Sequence, residues 1–235
     1  MDEKEFFTRS RSNEDFEGGG GGGSGAFEGI KAKLSNFSQQ MFVFTKLVVG
    51  ILLIPFVYAS TVSFLAQLAL PKPGITKVFF WGVNSFLVLY LFIWEAALVY
   101  KKGQKIVEAV FRFFTPLVKV APYLLPIYTL ILLLVSGICS LFDQQGASVP
   151  YFVFLFGFSV TLHLVFSSKQ MRKRQGDKLK ANYIFGFSFI YIINLAILAL
   201  GLSLTFKEFS FVNFCNQSYQ IAGGFFSAAF RQLFL

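Results

Sequence analysis

YLLPIYTLILLLVSGICSLF fills residues 123–142 without one charged side chain. Its apolar residues do not alternate, which argues against a barrel strand with one face on a polar lumen. At 1.5 Å per residue, about 20 apolar residues in a helix reach about 30 Å, the thickness of a bilayer's hydrocarbon core. A backbone in lipid must satisfy its own hydrogen bonds, so a run of this kind crosses as a helix. LVVGILLIPF, residues 47–56, reads the same way.

The whole composition agrees. The chain has 235 residues, of which 55% are hydrophobic and 14% charged. Soluble domains carry about 25% charged residues. Mean hydropathy is +0.62. The reading is an all-α, polytopic membrane protein of five spans, with a sixth as the alternative. The spans fall at about 44–69, 77–100, 120–142, 149–168 and 183–205.

The remaining segments are assigned by contrast. Residues 1–29 centre on EGGGGGGSG, which forms no stable fold and reads as a disordered cytoplasmic tail. Residues 30–205 then form the transmembrane domain. A short amphipathic lead-in precedes the first span, with Ile30, Leu34, Phe37 and Met41 on one stripe. Within the domain, KKGQKIVEAVFRFFTPLVK at 101–119 predicts an amphipathic interfacial helix. Its apolar face carries Ile106, Val110, Phe113 and Leu117. Trp81 and Tyr100 suit the aromatic belts at the two ends of the second span. Pro122 and Pro126 fall in the first turns of the third span, where a missing N–H is tolerated. Residues 206–235 predict an interfacial or re-entrant segment, with a sixth span as the other choice, because Asn213, Asn216, Gln217 and Gln220 suit lipid poorly.

Basic residues set the orientation. Lys101, Lys102, Lys105, Arg112 and Lys119 lie between the second and third spans. Lys169, Arg172, Lys173, Arg174, Lys178 and Lys180 lie between the fourth and fifth. The opposite loops hold only Lys72 and Lys77. This places the N-terminus in the cytoplasm and, with five spans, the C-terminus outside a plasma or inner membrane. The formal charge of +9 is explained by these flanks, so nucleic acid is not implied. Lys101, Lys102, Lys105, Arg112, Lys169, Arg172, Lys173 and Arg174 are the expected contacts with anionic lipid headgroups.

Ionisable residues inside spans are functional suspects by default. Glu95 and His163 each stand about five residues before the cytoplasmic end of a span, about 8 Å deep. With Lys46 nearby, they form the expected intramembrane polar cluster. Asn194 and Asn84 are expected to pack helices or to touch a substrate. Gly50, Gly137, Gly157 and Gly201 are expected close-packing points.

Cys139 and Cys215 form no metal-binding spacing, so neither a metal nor a cofactor is expected. No nucleophile–base arrangement carries its usual context. The function reading is a non-enzymatic scaffold or accessory subunit of a membrane complex. Other membrane subunits or a second copy would be its partners. A transporter or channel subunit using Glu95 and His163 is the alternative, and a lipid-active membrane enzyme comes third.

Overall fold

The computed structural model describes residues 24–92, 96–112, 121–142, 146–174 and 181–234. The Gly-rich run 18–23 lies outside them. Among the described residues the main helices are α1 (Ser24–Leu68), α2 (Ile75–Phe92), α3 (Ala96–Val110), α4 (Ile127–Ser140), α5 (Val149–Arg174), α6 (Ala181–Thr205) and α7 (Phe211–Phe234). Residues 1–42 and 43–235 are separate compact units. In the first, the described part is helical from residue 24, and Leu34, Phe37 and Met41 are exposed. The bundle belongs to the second.

Four helical stretches are long and apolar enough to cross a membrane: Lys33–Leu68, Ile75–Phe92, Val149–Arg172 and Tyr183–Thr205. Each consists of apolar residues with few breakers, and Pro55 interrupts α1 without ending it. The expected third span, 120–142, is not one helix. A helical turn at 121–124 gives way at Leu125 and Pro126 to the 14-residue α4. The physical reason is local. Pro126 has no N–H to give the Pro122 carbonyl, and its ring crowds that same carbonyl.

Contacts between side chains give the direction of each helix. Phe79 meets Gly157, Phe86 meets Phe158, and Tyr90 meets Phe166, so α2 and α5 run parallel. Their intimacy comes from two glycines. A methyl on Gly82 would lie 2.0 Å from the Phe154 carbonyl oxygen, and one on Gly157 would lie 2.2 Å from that of Phe79. Small residues let helix backbones touch where no hydrophobic effect drives association. Gly50 approaches the Phe185 backbone, and Thr61 meets Tyr191 at 2.8 Å, so α1 and α6 also run parallel. Gly201 packs against Leu133 of α4. At Gly137, by contrast, no atom of another described element lies within 4 Å of the place its Cβ would take.

Tyr100 is buried in the bundle, with its ring 5.3 Å from Phe166. The packed stripe of α3 is Tyr100, Gly103 and Val107, whereas Ile106 and Val110 are exposed. Gly103 supplies the reason, because it admits the side chains of Ile127 and Tyr128. Residues 113–120 of the anticipated amphipathic helix lie outside the described residues. The C-terminal segment is a continuous 24-residue helix. Phe209 meets Phe64, Phe225 meets Tyr58, and Phe226 meets Phe56. The rising numbers from Phe209 into α7 match falling numbers on α1, so the two helices are antiparallel. Phe214, Ser218 and Ala222 form the buried stripe of α7.

Candidate functional site

The break at Leu125 and Pro126 exposes backbone carbonyls inside an apolar bundle. In an unbroken helix the Ile127 N–H would donate to the Tyr123 carbonyl. Here it donates to Leu125 at 3.0 Å instead. An unsatisfied carbonyl in such surroundings costs about 1–3 kcal/mol. Two side chains from two other helices answer it. His163 Nε2 on α5 lies 3.0 Å from the Tyr123 oxygen. Asn194 Nδ2 on α6 donates to the Leu124 oxygen at 3.1 Å and to the Ile190 oxygen at 2.7 Å. The lone histidine and the mid-span asparagine therefore hold two adjacent carbonyls of the turn just ahead of the break.

The hydrogen bonds at His163 follow a single direction. A carbonyl only accepts, so Nε2 must carry the proton that reaches Tyr123. Ser167 Oγ also donates to the Tyr123 oxygen, at 3.3 Å. Having given its one proton, it accepts from the Tyr100 hydroxyl at 2.9 Å. Gln104 Nε2 donates to that hydroxyl at 3.3 Å. Gln104 and Gln170 complete the chain with two reciprocal amide bonds of 3.0 Å each. Deeper in the bundle, Thr129 of α4 meets Ser159 of α5 at 2.9 Å, and Ser159 donates to the Phe156 carbonyl at 3.3 Å.

Ser159, His163, Ser167 and Gln170 thus make one stripe on α5, spaced four, four and three residues apart. The stripe is about 16 Å long. It faces Tyr100 and Gln104 of α3 and the broken segment ahead of α4. A small void of about 10 Å³ lies among Tyr100, Gln104, Pro122, Tyr128, Ser159 and His163. That is the threshold for a single water. Ser167 and His163 are 3.3 Å apart, the reach of a nucleophile and its base. The geometry opposes that role. His163 Nε2 is committed as a donor, and Ser167 is fully buried against a backbone carbonyl. Among the described residues no group of three or more His, Cys, Asp or Glu side chains could hold a metal.

Glu95 lies outside the described residues. Lys46 is half-buried on α1. Asn84 is exposed on α2, away from the stripe. Lys101, Lys102, Lys105, Arg112 and Arg172 are exposed, and the side chains of Lys173 and Arg174 lie outside the described residues. Lys169 reaches the Tyr90 hydroxyl at 3.5 Å and lies 5.7 Å over its ring. The Gln104–Gln170 pair ties the two basic segments together at one end of the bundle. Sequence reasoning missed Tyr100, Gln104, Ser167 and Gln170 as members of the site. The signal was present in the polar stripe at helical spacing on an apolar helix.

No family profile, no curated protein and no solved structure matches this chain. The molecule is a helical, multi-pass membrane protein whose described residues hold no metal-binding or catalytic cluster.

Proposed function

We propose that this protein is a non-enzymatic, membrane-embedded subunit that works by association rather than by catalysis or conduction. One observation carries the reading. Two interior polar side chains donate to backbone carbonyls of a neighbouring helical segment, His163 to Tyr123 and Asn194 to Leu124. The void beside His163 has room for about one water. A path for ions or solutes needs wetted polar groups that are free to exchange partners. Closed interhelical bonds instead fix helix positions.

The reading includes a topology. Parallel α2 and α5 require one crossing between them, which the broken segment through α4 supplies. The antiparallel packing of α7 on α1 supports α7 as a sixth crossing, which would return the C-terminus to the side of the N-terminus. The basic residues of α3 and α5, Lys101, Lys102, Lys105, Arg112, Lys169, Arg172, Lys173 and Arg174, then face the cytoplasm and anionic headgroups of a plasma or inner membrane.

A second reading, a transport subunit using Glu95 and His163, is favoured by the break itself. Discontinuous helices at membrane depth form the binding sites of many carriers. The Asn194 Oδ1 atom is also buried without a partner. Extraction into native-lipid nanodiscs followed by intact-mass analysis separates the two. The subunit reading expects a stoichiometric assembly and no solute flux in proteoliposomes. Saturable flux that His163→Leu abolishes would replace it with the second.

A further inference from the structure

The buried stripe of α2 is Ile75, Phe79, Gly82 and Phe86, which faces α5. The opposite side of the same helix carries Trp81, Asn84, Ser85, Val88, Leu89 and Phe92, which line an open groove of about 410 Å³. Trp81, Val88 and Phe92 are 67%, 54% and 83% exposed. Asn84 is exposed and has no hydrogen bond to any described residue. It stands nine residues from one end of α2 and eight from the other, about 12–14 Å inside each. An amide at that depth on the outer face would sit in hydrocarbon. Lipid offers it no partner, and leaving it unbonded there is costly.

We infer that the outer face of α2 is a homodimer interface in which Asn84 of one copy bonds Asn84 of the second. The occupant follows from the chemistry. A carboxamide carries both a donor and an acceptor, so two of them facing across a two-fold axis satisfy each other. A second copy inserted in the same orientation brings Asn84 to the same depth without further design. The remaining seam is uncharged, so the formal charge of +9 does not oppose the contact. Trp81, Asn84, Val88 and Phe92 recur at three- and four-residue spacing, the pattern of a helix–helix seam. This deepens the subunit reading by naming its first partner, and it rests on that reading only for its purpose.

The test is single-molecule photobleaching of the full chain in liposomes over a range of lipid dilutions. Wild type should dimerise. Asn84→Leu should weaken the dimer about tenfold, and Asn84→Gln, which keeps the amide, should retain most of it. In a chain with Cys139→Ala and Cys215→Ala, Val88→Cys should cross-link between copies under mild oxidation. Leu134→Cys, on an exposed part of α4, should not. A monomeric wild type would overturn the proposal, as would a dimer indifferent to Asn84→Leu that fails to cross-link at residue 88. Either outcome leaves the subunit reading standing if no flux is seen. Flux through an intact dimer would remove the subunit reading and keep the interface.

Discussion

Removing both donors from the Tyr123 carbonyl should cost more than the two removals taken singly. His163→Leu keeps the ring's approximate bulk and leaves Ser167 Oγ on the carbonyl at 3.3 Å. The expected loss is about 0.5–1.5 kcal/mol, that of one hydrogen bond. Ser167→Ala leaves His163 on the carbonyl at 3.0 Å but also takes the acceptor from Tyr100. Its cost should lie at the upper end of the same range or just above it. In the double variant the carbonyl is bare inside the bundle, and the desolvation penalty of about 1–3 kcal/mol appears in full. The double loss should therefore exceed the sum of the single losses by about 1 kcal/mol. Pro126→Ala supplies the control. It restores an N–H and lets the helix close over the break, so it should recover most of the double variant's loss while changing wild type little. Reversible unfolding in mixed micelles, or steric trapping in bicelles, measures all of these. Additive losses with no recovery by Pro126→Ala would refute the claim that His163 and Ser167 serve one shared carbonyl.

Gly82→Ala should separate α2 from α5 and destabilise the protein by about 1–3 kcal/mol, since its Cβ would meet the Phe154 oxygen at 2.0 Å. Gly137→Ala should be neutral or slightly stabilising in the same unfolding assay, because that position is open and alanine favours helix. Reporters fused to the N- and C-termini should lie on one side of the membrane, and a reporter after Arg174 should lie on that side too. An external C-terminus with an internal N-terminus would show that α7 does not cross. Replacing Lys101, Lys102 and Lys105 with Gln should weaken retention of anionic lipid by roughly fivefold per charge, read by native mass spectrometry. Neutral lipid should be unaffected.

The crossings were legible because length and hydropathy act over whole segments. The runs that became α1, α2, α5 and α6 need no knowledge of their neighbours. The break before α4 was not legible in the same way. Pro122 and Pro126 are tolerated at a helix start and disruptive inside a helix, and which applies depends on whether other helices supply donors. His163 and Asn194 supply them from 40 and 70 residues away. Depth along a helix could be counted, so His163 was found. Its partner could not be, because a backbone carbonyl has no signature in the sequence. Gly137 shows the same limit from the other side. A glycine in an apolar run looks alike whether it meets another backbone, as Gly157 does, or open space. Tyr100 was placed at an interface by its type, and Gly103 and Ser167 draw it inward instead.

His163 is the chain's only histidine, so ¹⁵N-histidine labelling yields one unambiguous pair of ring signals by solid-state NMR in lipid. A single species protonated at Nε2 is expected, with a ring proton that exchanges slowly when the sample is moved to D₂O. A ring protonated at Nδ1 alone, or an Nε2 proton that exchanges as fast as a solvated one, would contradict the claim that the polar stripe closes the bundle.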